Sequence, residues 1–460
     1  MSTSRRSIWK IQLVLSVLLA IPFLSAPTLL AADDTPTAIV HGTLIDGLGG
    51  PPVDDATVIL RGATIEYAGP SRGTSIPSDA RIIDAKGRTV MPGLADLHVH
   101  LQGAWDGTSV DLLGYQRYFN ALLYAGVTTI LDTGNYQPWV LQLRQEQAAG
   151  RLLAPRIYCV GAMIDGTDPA WPDLAYALTS RYQIPMFVER DKQAHVDMIK
   201  AYANLSDRLL RRLSEEAKKA DLRVVIDQWD RNGSPDLSAA GISGYAHAAT
   251  RKMSADDVQL IKDRNLFVIT TLVVHESFAR TRFHDVHFLD EPLIAYTTPP
   301  WFLTELRKFI NKPQSDDEKK DTATAVAEFE ESKRNVKKFF EAGILLATGT
   351  DAPYPAVFQG EGVHHELELL VEAGLTPLQA LRAATYDAAR IMKAENDWGS
   401  LVAGRRANVL IVAGHPAEKI SDTRKIETVI FNGKILDRAA LRFDPKRDPG
   451  YRVVPGLYNP

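Results

Sequence analysis

The rhythm of apolar positions changes twice along the chain. Over residues 33–90 short β-type runs dominate, among them Thr37-Ala38-Ile39-Val40, Ala56-Thr57-Val58-Ile59-Leu60 and Thr64-Ile65-Glu66-Tyr67-Ala68. Gly, Pro and Asp break them apart, which predicts a small all-β unit. Over residues 91–397 apolar runs of strand length alternate with longer helical stretches. Val127–Leu131, Arg156–Val160, Val224–Ile226, Phe267–Ile269 and Ile344–Ala347 read as strands. Asp207–Ala220 and Thr322–Ala342 carry helical periodicity with Glu and Lys on the polar face. Thr376-Pro377-Leu378-Gln379 marks a helix start: a capping hydroxyl, proline at the first position, glutamine three after the cap. Such alternation predicts an α/β fold with a parallel sheet, and a (β/α)8 barrel of TIM type fits the length. After residue 398 the strand style returns, with Asn432-Gly433 between two apolar runs as a hairpin turn. The two β-rich ends, 33–90 and 398–460, are expected to complete one composite β-sandwich.

The 460 residues suit one large domain and a smaller one. Lys and Arg number 52 against 56 Asp and Glu, mixed along the chain, which is not the footprint of a nucleic-acid binder. The single cysteine, Cys159, rules out an intramolecular disulfide. It sits in an apolar run and reads as a buried inert thiol. Arg5, Arg6 and Lys10 precede an apolar stretch from Ile11 to Leu30, then Ala31-Ala32. This is the layout of a signal peptide over 1–32, of general secretory or twin-arginine type, and implies an exported, periplasmic or secreted protein. An uncleaved anchor is the third option, weakened by Pro22 and Pro27. Once the signal is cut, no stable membrane association is expected.

Candidate chemistry begins at His98-Val99-His100. Two apart in a strand, the imidazoles share a face and suit zinc or a similar divalent metal. A half-buried histidine pair is the alternative for an isolated match. Asp351 follows the apolar strand ending at Thr348-Gly349-Thr350. At that end of a barrel strand it can ligate a metal or take a proton, or simply make an Asx-type turn. His247 ends another short strand. Lys200 lies in an apolar strand, where an ammonium must be paired, modified or snorkelling.

The order of these residues resembles the amidohydrolase superfamily, in its imidazolonepropionase-like and prolidase-like branch. Val90-Met91-Pro92-Gly93-Leu94, Ala125-Gly126-Val127-Thr128-Thr129, Gly349-Thr350-Asp351-Ala352, His364 to Leu370 and Gly404-Arg405-Arg406-Ala407-Asn408-Val409 carry the likeness over nearly the whole mature chain. The resemblance implies that His98, His100, Lys200, His247 and Asp351 bind one or two divalent metals, zinc foremost. It implies a carboxylated Lys200 bridging two ions and Asp351 as general base for a metal-activated hydroxide. Its expected substrate is a small molecule with an amide, cyclic amide or dipeptide-like C–N bond. Lactone or phosphoester hydrolysis, or a decayed periplasmic binding protein, are the alternatives, and a homo-oligomer is left open. Asp227 stands where the family has a fifth-strand histidine, so it is a substitute ligand, or the second metal is weak, or catalysis is altered. Trp229 is a candidate wall. The segment 163–195, with Asp165, Asp168 and Trp171, is a candidate lid, and His275, His284 and His287 are candidate substrate contacts.

Overall fold

The computed structural model describes residues 35–107 and 109–448. The expected signal peptide lies outside those residues, as does 449–460. Among the described residues no helix is long and apolar enough to cross a membrane.

Five strands come first: β1 (Thr37–Leu44), β2 (Val53–Arg61), β3 (Thr64–Pro70), β4 (Arg81–Asp84) and β5 (Arg88–Pro92). Three parallel strands follow: β6 (Leu94–Val99), β7 (Val127–Asp132) and β8 (Arg156–Cys159). Seven more form a second parallel sheet. These are β9 (Met163–Asp165), β10 (Ala175–Ala177), β11 (Ile199–Ala201), β12 (Val224–Ile226), β13 (Gly244–Tyr245), β14 (Phe267–Ile269) and β15 (Leu346–Ala347). β16 (Val409–Ala413), β17 (Ile426–Phe431) and β18 (Lys434–Ile435) close the series.

Every residue of β6 and β7 is buried, as expected for strands covered on both faces. Helices supply the cover, and their sequences show why they form. α1 (Asp207–Lys219) buries Leu210, Leu213 and Ala217, has Asp207 in its first turn and ends on Lys218-Lys219. α2 (Leu272–Ala279) is buried at all but one residue. α3 (Asp316–Glu341) begins six residues before the helical periodicity suggests, because Ser315 and Glu318 form a capping box. α4 (Glu361–Glu372) and α5 (Pro377–Ala383) follow, α5 capped by Thr376 and Gln379 as expected.

The parallel ladder is not the continuous ring of the sequence expectation. It is a three-stranded and a seven-stranded sheet, and no closed barrel ladder runs through the described residues. The reason is local. β15 has two residues, and β6 loses its register between Asp96 and Val99. Isolated backbone hydrogen bonds span the seams instead: Leu97 N to Thr348 O (3.0 Å), His100 N to Ala352 O (2.8 Å) and Asp197 N to Cys159 O (2.9 Å). Below the strand ends, Leu97, Met198, Val225, Ile269 and Ala347 pack as one apolar plug. Cys159 is buried, and burial pushes its thiol up to about 12, so it is inert at neutral pH.

Strands from both parts of the chain meet in one eight-stranded sheet, ordered β18-β17-β16-β5-β1-β2-β3 with β4 on β1. β5 is parallel to β1 on one side and antiparallel to β16 on the other, Arg88–Pro92 against Ala413–Val409. Ile39, Val58, Leu60, Val90, Val409 and Ile430 fill it. The expected second, facing layer is not separately seen. The Asn432-Gly433 turn joins β17 to β18 as the sequence predicts.

Candidate metal centre

Six sequence-predicted residues arrive at one place from five parallel strands. β6 carries His98 and leads into His100, and β11 carries Lys200. Asp227, His247 and Asp351 follow the C-terminal ends of β12, β13 and β15. Met198 and Lys200 share a strand face, as do Val225 and Asp227, so the polar floor lies directly on the apolar plug. Asp351 and Trp229 hold left-handed backbone (φ 61° and 33°), strain of the kind that clusters at functional sites. Gly349 lets β15 close on β6, since a Cβ there would meet the Cβ of His98 at 2.7 Å.

The hydrogen bonds around the histidines decide what the floor can hold. His98 Nδ1 donates to the Ala246 carbonyl (2.8 Å) and His100 Nδ1 to the Gly134 carbonyl (3.1 Å). A carbonyl can only accept, so both rings carry their hydrogen on Nδ1 and turn a bare Nε2 inward. Those two Nε2 atoms lie 3.3 and 3.1 Å from the same oxygen of Asp351. In their neutral forms the rings turn lone pairs toward a carboxylate oxygen, an arrangement that a bound cation would relieve. Protonation of His98 is a poor answer, because burial, then the Lys200 charge, holds its pKa well below the usual value. The donor set suits a divalent metal ion.

A second triad shares His98. Donor atoms of His98, Asp227 and His247 lie within 4.8 Å of one another, as do those of His98, His100 and Asp351. Lys200 stands between, its Nζ 2.9 Å from Asp227 Oδ2 and 3.2 Å from His98 Nε2, with 1% of its surface exposed. His247 Nε2 is 3.0 Å from the same Asp227 oxygen. The other oxygen, Oδ1, is buried without a hydrogen-bond partner. Burial raises the Asp227 carboxyl, and the His247 and Lys200 charges override it and hold it far below the usual range. For Asp351 burial again raises, and close contact with His100 and the neighbouring His247 and Lys200 charges override it and lower the carboxyl.

A cavity of about 400 Å³ opens over the floor, in the size range of small-molecule sites. Trp229 lines it and stacks on His247, ring centroids 4.3 Å apart at 17°. Trp171 lines it too. So do Met163, Ala170, Pro172, Asp173 and Leu174 of the expected lid segment 163–195, whereas Asp165, Asp168 and the three expected contact histidines do not. Asp165 is buried and spends its carboxylate on the backbone N–H groups of Gly166, Ala170 and Asn204, a loop-building role. Asp168 gives its carbonyl to Asn204. His275 is buried edge-on to Trp229, while His284 and His287 are exposed elsewhere. Histidines on a short helix and loop carry no positional signature. Tyr202, Phe278 and Tyr354 are lining residues that sequence reasoning missed. Only Tyr202 left a signal: it is two residues after Lys200, on the same face.

The model of the amidohydrolase family matches residues 89–436, the span that holds all six floor residues. The chain belongs to the amidohydrolase family. Among relatives of this amidohydrolase, an adenine deaminase of Rubrobacter xylanophilus is 22% identical over 93% of the chain and 63% of its own length. An imidazolonepropionase of Brevibacillus brevis is 22% identical over 84% and 90%. The chain thus spans under two thirds of the first of these relatives. A solved Xaa-Pro dipeptidase with bound methionine superposes with a TM-score of 0.70 at 20% identity, covering 87% of this chain and 100% of its own. That likeness shows the fold.

Proposed function

We propose that this amidohydrolase is a metal-dependent hydrolase of a C–N bond in a small molecule. The observation that carries the reading is the pair of inward Nε2 atoms on Asp351, whose tautomers the Ala246 and Gly134 carbonyls dictate. His98, His100 and Asp351 would hold one divalent ion, zinc foremost. His247, Asp227 and a carboxylated Lys200 would serve a second, with Asp227 in the place of a histidine. The free Oδ1 of Asp227 supports its part. When bound, such an ion makes water acidic and polarises a carbonyl.

The chain's own groups do the rest. Asp351 takes the proton of the attacking water and returns it to the leaving nitrogen. Trp229 and its neighbours keep bulk water from the floor. Around this centre, the two parallel sheets and their seam hydrogen bonds are read as one (β/α)8 barrel over 91–397, with the shared sheet of 33–90 and 398–460 as a companion domain. Export through the leader at 1–32 belongs to the same proposal.

The test is metal analysis of protein reconstituted with zinc or manganese. One to two ions per chain are expected, falling in the Asp227→Ala variant. Stoichiometry near zero overturns the reading.

A further inference from the structure

The walls of the cavity bear on which C–N bond is taken. Trp229, Phe278 and Tyr354 form one wall, packed edge to face with ring centroids 5.5 and 4.8 Å apart. Trp171 and Tyr202 form another, the indole N–H donating to the phenol oxygen at 3.0 Å. All five rings are only partly buried and all line the space. Aromatic rings offer faces and edges to another ring, and little to a carboxylate.

Charge in the lining points the same way. Among the described lining residues there is no arginine. The lysine, Lys200, is committed to Asp227 at 2.9 Å on the floor. The histidine, His100, is committed at both nitrogens, to Gly134 and toward Asp351. At the mouth stands Asp173, an exposed carboxylate. A substrate carboxylate is held most strongly by a guanidinium fork or a free cation, and burying one without such a partner is costly.

We infer that the site takes substrates with an aromatic group beside the scissile C–N bond and no carboxylate next to it. Neutral N-aryl amides and carbamates meet that description; acyl-amino acids and dipeptides do not. The inference rests on the hydrolase reading above and narrows it.

The test uses a matched pair, an N-acyl anilide and its ring-carboxylated derivative, which contain the same bond. Binding to the metal-loaded enzyme is read by quenching of tryptophan fluorescence, and hydrolysis by release of the arylamine. The neutral anilide is expected to bind at least about tenfold more tightly. Trp171→Ala should weaken that binding about tenfold, and Asp173→Lys should narrow the gap between the pair. Equal or tighter binding of the carboxylated member overturns the inference, as does failure of both to bind. Preferential binding of the neutral member without turnover of either supports the inference and counts against the hydrolytic reading alone.

Discussion

Two buried clusters in this molecule are built from the same kinds of side chain and differ in what they lack. The floor combines His98, His100, Lys200, Asp227, His247 and Asp351. The second lies where α4 meets α2 and the 420–424 turn. There Arg424 pairs with Glu291 (2.9 Å), Glu361 (2.7 Å) and both oxygens of Glu368 (2.9 Å each). Arg282 adds a bond to Glu361 at 2.6 Å, and His365 lies between Glu276 and Glu368. Two guanidinium forks supply the donors that the carboxylates need. No side-chain atom of these seven residues is buried unsatisfied among the described residues. Burial alone would raise Glu368, and Arg424 and His365 bring it down to about 2. The floor has no such fork. Its acceptors face one another, and Asp227 keeps an empty oxygen. Composition does not separate a strut from a site; the balance of donors and acceptors does.

The sharpest way to break that contrast is to neutralise one member of each cluster. Asp351→Asn should lower kcat/KM about 10³-fold or more, with the melting temperature of the metal-stripped protein unchanged. Arg424→Met should do the reverse. It removes the guanidinium shared by Glu291, Glu361 and Glu368, leaving them only part of their donors, and should cost about 3 kcal/mol in denaturant unfolding, with metal stoichiometry per folded chain intact. If Arg424→Met emptied the metal centre, the two clusters would be one unit. A gentler probe is the chelator. Removing an ion present at 100 times its Kd should cost the wild type about 2.7 kcal/mol of apparent stability, an effect absent from a chain that cannot bind it.

The smallest expected effect concerns Glu366, one turn along α4. Burial pushes its carboxyl up to about 7, against hydrogen bonds from Thr270 and the Val273 N–H. Between pH 4.5 and 7 the folded chain keeps a proton that the unfolded chain has lost. Stability therefore falls as pH rises through that window. Glu366→Gln retains both partners and should flatten the slope, gaining about 1–2 kcal/mol at pH 8 relative to wild type and little at pH 5. A parallel pH profile in the variant would show that Glu366 is ionised throughout.

The floor was legible because its residues sit at strand ends, where a two-residue spacing or a run of apolar neighbours fixes direction. His98 and His100, Lys200 and Asp351 each follow such a run. The Arg424 cluster was not legible. Its members are spread from Glu276 to Arg424 over helices and turns, and paired charges leave no local period. The cavity walls failed for a related reason: Phe278 and Tyr354 come together only through the path of the chain after β14 and β15. The ring of strands was read as complete from alternation, yet alternation is silent about the two-residue length of β15 and the slipped register of β6.

β5 has a consequence for biosynthesis. It runs straight into β6, and its far edge is hydrogen-bonded to β16, more than three hundred residues later in translation. Until that partner leaves the ribosome, the strand feeding His98 presents an open edge of unpaired amides. An edge left open over that span is a template for wrong pairing. Keeping that edge shielded until β16 is made is a demand that follows from this topology.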